Sequence, residues 1–258
     1  MIPIGIATGF SDLPEAKRLG FDFVEVPLCE LAALPDDDFE AFVGWCEGSG
    51  VRVRAVNRLL PDGMPVVGPD VRAAALHDYL KHAFARCRRL RVRVAAMDGA
   101  AARSVPTGFD HPMAWRQLGN FLRLCQGHAR ECGIVIAVEP LRKTECNLLN
   151  LVSEATLLSG LLQLGNVGVA ANTGSMAMAS EPLSALQQAG SMLCHVHVEN
   201  ALTRRMPREG DGEDYFKLMR TLRKMHYTGG VCVQGAAGGD FESDARAALL
   251  CLSRAQRR

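Results

Sequence analysis

The chain has 258 residues, of which 48% are hydrophobic and 22% are charged, and its formal net charge is +1 at pH 7. This composition is typical of a globular protein, and the near-zero charge argues against nucleic acid or an anionic membrane as partner. The nine cysteines show no Cys-x-x-Cys spacing, which is typical of reduced, mostly buried thiols. No apolar run reaches the ~20 residues of a membrane span, and no signal peptide is evident, so we expect a cytoplasmic protein.

Short apolar segments alternate with longer amphipathic segments along the whole chain. We predict eight strands, at 2–7, 23–27, 51–57, 92–97, 135–139, 167–172, 192–198 and 230–234. We predict helices between them, at about 11–19, 37–49, 70–89, 111–132, 151–163, 181–188, 211–226 and 240–255. Strand–helix units in this order favour a parallel sheet closed into a single (β/α)8 barrel. No linker divides the chain, so we predict one domain over 1–258.

The fifth predicted strand carries the residue on which the functional argument depends. The apolar run 135–138 indicates a buried parallel strand, and Glu139 closes it. Since barrels keep their catalytic groups at the carboxyl ends of strands, Glu139 predicts a site at the barrel mouth; a charge that merely closes the strand is the alternative. Other predicted strands carry polar residues at or near the same end, namely Glu25, Asn57, Asp98, Asn172, His195, His197 and Gln234.

Several motifs follow these strands. They are Asn-Arg-Leu-Leu-Pro at 57–61, Ala-Arg-Ser-Val-Pro at 102–106, Glu-Pro-Leu at 139–141 with Glu145 and Asn147, His-Val-His at 195–197, Arg-Arg-Met-Pro-Arg-Glu-Gly at 204–210, and Tyr-Thr-Gly-Gly-Val at 227–231. As a set, they make the chain resemble the xylose-isomerase-like sugar isomerases and epimerases, which are single-domain TIM barrels. The resemblance covers nearly the whole chain and implies a small carbohydrate as partner.

The resemblance also implies a divalent metal, often manganese, at the barrel mouth. The family's ligands are a Glu, an Asp, a His and a Glu on strands five to eight, and the matching residues here are Glu139, Asn172, His197 and Gln234. Two of three carboxylates are therefore amides, whereas hard divalent cations prefer charged oxygen ligands. Each replacement removes an attraction on the order of several kcal/mol. We expect Mn²⁺ or a similar ion to bind weakly or not at all.

The residues expected to act on the substrate follow from the same resemblance. Glu139 and Gln234 match the family's two proton-transferring carboxylates, but an amide has no proton to exchange near neutral pH. Glu145 matches a substrate-contacting Glu, and Arg204 matches an Arg after strand seven. The remaining expected substrate-binding residues are His195, Asn57 and Ser175, the last at a position where the family has His. His195 shares one face of its strand with His197, and the alternative for it is a hydrogen-bonded core or wall residue.

Several functions stay open at this point. The first is an isomerase or epimerase of a sugar or sugar phosphate, with activity that is weak or altered because of the changed metal site. The second is a non-catalytic carbohydrate-binding barrel, since Asn and Gln keep the shape of Asp and Glu without the charge. A changed reaction, such as dehydration of a polyol, is the third. Zinc-dependent abasic-site endonucleases match poorly, because they need more His and carboxylate ligands and a basic surface. Barrels of this kind often pair, so a homo-oligomer also stays open.

Overall fold

Eight parallel strands close into a barrel in the computed structural model, which describes residues 1–257. They are β1 Ile4–Ala7, β2 Phe23–Pro27, β3 Val53–Asn57, β4 Val94–Met97, β5 Val135–Val138, β6 Val167–Asn172, β7 Leu193–Val198 and β8 Gly230–Val233. Each strand pairs with the next in the chain, and β8 pairs with β1. The predicted (β/α)8 fold is confirmed, and every strand end lies within two residues of its prediction.

Helices surround the barrel. They are α1 Leu13–Leu19, α2 Leu28–Ala33, α3 Asp36–Ser49, α4 Ala73–Arg89, α5 His111–Glu131, α6 Val152–Leu162, α7 Thr173–Met178, α8 Ser184–Ala189, α9 Tyr215–Lys224 and α10 Phe241–Ala255. The sequence prediction missed α2 and α7, two short helices that begin directly where β2 and β6 end. Among the described residues, no helix is both long enough and apolar enough to cross a membrane.

Side chains of the strands alternate between two environments. Ile4, Ile6 and Val24 belong to the main core, which lies between the barrel and the helices. Phe23 and Cys232 belong to a second, smaller cluster. Because successive strand residues point to opposite faces, this smaller cluster fills the inside of the barrel. The inside of the barrel is therefore packed below the mouth.

Glycines make room for the largest ring inside the barrel. A Cβ atom at Gly5 or at Gly230 would overlap the ring of Phe23. Gly5 lies opposite Phe23 in the β1–β2 pairing and opposite Cys232 in the β1–β8 pairing. Phe23 thus closes the lower part of the barrel, and polar groups above it, such as Glu25, are shielded from water on that side.

Candidate functional site

A cavity of about 470 Å³ opens at the carboxyl ends of strands β4 to β8. Its lining combines carboxyl, amide and guanidinium groups with a few small side chains: Asp98, Glu139, Leu141, Glu145, Asn172, Ser175, Glu199, Arg204, Gln234, Gly235 and Ala236. The cavity therefore brings together most of the residues that the sequence suggested. His195, His197 and Asn57 do not line it, and they lie deeper in the barrel or beside it.

A larger cavity of about 1070 Å³ opens at the opposite end of the barrel. Its charged groups are mainly cationic, among them Arg52, Arg54, Arg91 and Arg93. It contains no strand-end carboxylates of the kind that transfer protons. Because chemistry on this fold takes place at the carboxyl ends of the strands, we place the candidate active site in the smaller cavity at the mouth.

Two arginine–carboxylate pairs flank the mouth. Arg142 Nη2 lies 2.7 Å from Glu199 Oε1, and both side chains are almost fully buried. Arg204 forms an ion pair with Glu145, and this pair is partly exposed. The loop after β8 fixes Arg204, because the Ala236 N–H donates to the Arg204 carbonyl at 2.9 Å. Two carboxyl groups of the cavity, those of Asp98 and Glu139, form no ion pair with an arginine side chain among the described residues.

His197 lies behind Glu139 and bridges it to Glu25 inside the barrel. His197 Nδ1 is hydrogen-bonded to Glu139 Oε2, and His197 Nε2 is 2.9 Å from Glu25 Oε1. Burial by itself lowers the pKa of His197, but the carboxylates of Glu25 and Glu139 outweigh it and raise that pKa well above its usual value. For Glu25, burial by itself raises the pKa, but the imidazoles of His197 and His195 outweigh it and hold that pKa well below its usual range. The bridge therefore carries alternating charge.

Asp98 is the carboxyl group of the cavity that titrates near neutral pH. Its Oδ1 accepts a hydrogen bond of 2.7 Å from the Arg58 backbone N–H. Burial, and then the negative charge of Glu139, raise the pKa of Asp98 to about 7. Asp98 can therefore hold or release a proton under physiological conditions. The sequence placed Asp98 at the end of strand four but gave it no role, because its environment depends on residues far away in the chain.

The amides of Asn172 and Gln234 are paired with each other. The Ser175 N–H donates to Asn172 Oδ1 at 2.9 Å, which caps α7. A flipped amide would set its NH₂ group against that N–H, so the orientation of Asn172 is fixed. Its Nδ2 then donates to Gln234 Oε1 at 2.8 Å. Each amide oxygen already accepts a hydrogen bond, and neither turns freely toward a cation.

The mouth residues consequently do not fit the divalent ion that the resemblance implies. Of the expected set, Glu139 is the one carboxylate, and its Oε2 is engaged by His197. Both ring nitrogens of His197 are engaged as well, and Asn172 and Gln234 satisfy each other. Hard cations require several free, preferably charged, oxygen atoms. The weak or absent binding expected at this position stays a prediction, and this geometry supports it.

Arg103 holds the backbone beneath the cavity and was not identified from the sequence as a functional residue. Its side chain is fully buried, and the guanidinium donates to the carbonyls of Met97, at 3.0 Å, and of Glu139. Met97 is the last residue of β4, and Glu139 directly follows the last residue of β5. Arg103 therefore fixes the two strand ends that present Asp98 and Glu139. The one signal in the sequence was an arginine six residues after the end of a predicted strand, since its burial appears only in the structure.

Asn57 and His195 lie outside the cavity, and their predicted contact with substrate stays a prediction. Asn57 is 8% exposed, and its Oδ1 has no hydrogen-bond partner among residues 1–257. His195 is 1% exposed, and its Nε2 lies 2.8 Å from Glu25 Oε2. The alternation along β7 places both its histidines inside the barrel, but neither at the surface of the mouth cavity.

Comparison with known proteins adds the family and the fold. Residues 13–254 match the model of the xylose isomerase-like TIM barrel family. No curated protein sequence matches the chain. Among solved structures, the apo form of 3-keto-D-glucoside 4-epimerase YcjR from E. coli superposes with a TM-score of 0.86 at 16% identity, covering 98% of this chain and 100% of that one. D-psicose 3-epimerase from Clostridium cellulolyticum H10, solved with D-tagatose, gives 0.87 at 20% identity, covering 99% of each chain.

The same fold also occurs in a protein that is named as an endonuclease and not as an epimerase. A family 2 AP endonuclease from Brucella melitensis gives a TM-score of 0.78 at 20% identity, covering 94% of this chain and 96% of that one. At such identities a structural likeness shows the shared fold alone. The function has to be argued from the side chains at the mouth.

Proposed function

The chain belongs to the xylose isomerase-like TIM barrel family, and from this premise we propose that it is an isomerase or epimerase of a small sugar. The observation that carries the proposal is a pair of carboxyl groups, Asp98 and Glu139, that line one cavity from adjacent strands. The cavity volume of about 470 Å³ lies within the usual range for small-molecule sites. Similar structures bear the names of a 3-keto-D-glucoside 4-epimerase, a D-psicose 3-epimerase and an L-ribulose 3-epimerase.

The two carboxyl groups have complementary tasks in the proposed reaction. Glu139 removes a proton from the carbon next to the sugar carbonyl, while protonated Asp98 gives its proton to the carbonyl oxygen, so a neutral enediol forms. Glu139 then returns its proton to the neighbouring carbon, and Asp98 recovers one from the other hydroxyl group. The net result moves a hydrogen between adjacent carbons and converts an aldose into a ketose, or the reverse.

A single carboxylate that exchanges protons with the carbon atoms of the sugar favours isomerisation over epimerisation. Epimerisation needs a proton to leave one face of the sugar and return on the opposite face. Gln234 occupies the position from which the family's second carboxylate would act, and its amide cannot transfer that proton. Transfer along one face needs Glu139 alone. We therefore propose aldose–ketose interconversion as the principal reaction, and we assign no step to a metal ion at the mouth.

The remaining polar groups of the cavity would bind the hydroxyl groups of the sugar. Glu145 accepts and Arg204 donates hydrogen bonds, and the paired amides of Asn172 and Gln234 do both. The amide pair also supports a second candidate function, a non-catalytic carbohydrate-binding barrel, because it keeps a polar pocket without the family's charges. A cytoplasmic location, a homo-oligomeric state and the absence of a nucleic-acid partner stay predictions.

Deuterium exchange distinguishes the two candidates. The protein is incubated in D₂O with a panel of aldoses and ketoses of four to six carbons, with and without a phosphate group, and NMR follows deuterium at the carbons next to the carbonyl. We expect exchange with wild type and none with Glu139→Gln. Glu209→Gln is the matched control, since Glu209 is exposed and pairs with Arg254 outside the cavity.

Calorimetric titration with the same sugars completes the experiment. If some sugars of the panel bind but none of them exchanges deuterium, the result would establish the non-catalytic barrel. Neither binding nor exchange across the panel would overturn both candidates. Exchange that survives Glu139→Gln would remove the proposed base.

A further inference from the structure

A second group of ionisable side chains lies inside the barrel, below the mouth. Glu25 comes from β2, His195 and His197 come from β7, and Cys232 comes from β8. One ligand atom from each residue lies within 4.8 Å of the others, and all four side chains are buried. Barrel interiors at this depth are usually filled by branched apolar residues. We propose that this group, which we term the core cluster, is a binding site for a Zn²⁺-like divalent cation.

The sheet register places the core cluster together. His197 is the direct partner of Cys232 in the β7–β8 pairing, and the inside-facing residue two positions earlier on β7 is His195. Glu25 approaches from across the barrel, between Phe23 below and the mouth above, since residues two apart on a strand share a face. The backbone therefore brings the four side chains together before any ion binds.

The polar atoms of the two histidines and Glu25 lie at hydrogen-bond distances, slightly closer together than the ligands of a small ion. His195 Nε2 lies 2.8 Å from Glu25 Oε2, and His197 Nε2 lies 2.9 Å from Glu25 Oε1. The two Nε2 atoms are 3.2 Å apart. Ligands at ~2.0–2.1 Å from a tetrahedral zinc ion are separated by about 3.3 Å. The two Nε2 atoms are therefore close to the required spacing, and each would move slightly away from the Glu25 oxygen that it contacts to make room for the ion.

The types of ligand select the class of metal. Two imidazoles, one thiol and one carboxylate form a mixed nitrogen, sulfur and oxygen set, which suits Zn²⁺ and its spectroscopic substitute Co²⁺. Mg²⁺ and Ca²⁺ bind oxygen ligands, and Mn²⁺ is suited mainly by carboxylates, carbonyls and water. The core cluster thus differs in both position and chemistry from the metal site that the family implies at the mouth, although His197 is common to both sets.

Glu139 orients the histidine that the two sets share. His197 uses Nδ1 for Glu139 and turns Nε2 toward Glu25 and His195. Histidines that bind metals usually donate their other ring N–H to a carboxylate or carbonyl in this way, which fixes the ring and the tautomer. The arrangement leaves Nε2 as the atom that faces the cation, and binding of the cation displaces the proton that this nitrogen carries in the metal-free protein. It does not rest on the proposed sugar reaction, because it concerns the interior of the barrel.

Cobalt titration of metal-free protein tests the core cluster. The purified full chain is treated with a chelator, dialysed and titrated with Co²⁺, and a parallel sample is titrated with Zn²⁺ and analysed for metal content. We expect one ion per chain, intense visible bands of tetrahedral Co²⁺, and a thiolate-to-cobalt band in the near ultraviolet. Failure to bind one ion per chain would overturn the proposal.

Variants assign the ligands without reference to activity. Cys232→Ala should abolish the thiolate band and lower the Co²⁺ affinity by at least about tenfold to a hundredfold, the range for residues that only orient ligands. Cys194→Ala is the matched control, because Cys194 lies on β7 outside the core cluster and contacts the Val169 carbonyl. A thiolate band that survives Cys232→Ala would overturn the proposal.

Two further variants test whether Cys232→Ala merely unfolds the protein and whether the ion binds at the mouth. Cys232→Ser keeps the size of the side chain, so it should fold even where Cys232→Ala does not, and it too should lose the thiolate band. Gln234→Met removes the amide at the mouth and should leave the cobalt spectrum unchanged, whereas a changed spectrum would place the ion at the mouth and refute the assignment. Since the readout is metal binding, a protein inactive on sugars would still decide the question.

Discussion

Replacing Asp98 by Asn should stabilise the fold at alkaline pH. The pKa of Asp98 is about 7, against an ordinary value of 3.8, so the folded state disfavours the charged form. A group of this kind costs no stability below the lower value, and its cost grows as pH rises until it is complete above the higher one. A gap of about three pH units at 1.36 kcal/mol each corresponds to about 4 kcal/mol. Asp98 is only half-buried, and screening by solvent reduces this to about 2 kcal/mol.

The variant keeps the structural contact, since Asn can accept the Arg58 N–H through the same Oδ1. We expect Asp98→Asn to exceed wild type in free energy of unfolding by under about 1 kcal/mol at pH 5 and by about 2 kcal/mol at pH 8.5. Urea denaturation at both pH values measures it, with Asp62→Asn in an exposed loop as control. The same variant should lose roughly a hundredfold in deuterium exchange with sugars. A stability difference that is independent of pH would refute this account of Asp98.

The other predictions concern the mouth and its support. Asn172→Asp with Gln234→Glu should raise Mn²⁺ affinity by at least about a hundredfold, measured by electron paramagnetic resonance, since each new carboxylate adds an attraction on the order of several kcal/mol; equally tight binding by wild type would contradict this. Gly174→Ala should lower the free energy of unfolding by about 3–5 kcal/mol, because its Cβ would lie 2.6 Å from a carboxylate oxygen of the buried arginine pair. As its control, Gly160→Ala, at a helical site with nothing within 4 Å of the added Cβ, should stabilise the protein by up to about 1 kcal/mol; urea denaturation measures both variants. Glu145→Gln should change stability by less than about 1 kcal/mol, since its ion pair is partly exposed, while the KM for sugar rises; an unchanged KM would remove Glu145 from the binding site.

The strands were predictable because each is a short apolar segment bounded by turn residues, and their order alone favours a barrel. The helices α2 and α7 were not, because six residues are too few to show a helical period. The helix α7 also depends on a cap from Asn172, which the sequence analysis had interpreted as a metal position. The position of such a short helix thus depends on individual capping side chains more than on the periodicity of apolar residues.

Position along a strand was enough to find the polar groups of the mouth. Glu139, Asn172 and Gln234 were expected there, and all three line the cavity. Their partners were beyond reach of the sequence, because a hydrogen bond depends on geometry across the barrel. The clearest case is Glu25, which contacts two histidines about 170 residues away in the chain. The pKa of Asp98 is set by the same kind of distant neighbour.

The orientation of His197 decides where a cation can bind. One imidazole nitrogen can serve one ion, and Nε2 points into the barrel toward Glu25. A cation at the mouth would therefore need Nδ1, which Glu139 already engages. Adding carboxylates at positions 172 and 234 supplies negative charge at the mouth. Mn²⁺ that binds there with Glu139 must still compete with the hydrogen bond between Glu139 and His197. Because the core cluster leaves that bond intact, an ion inside the barrel can bind while Glu139 keeps its place in the cavity.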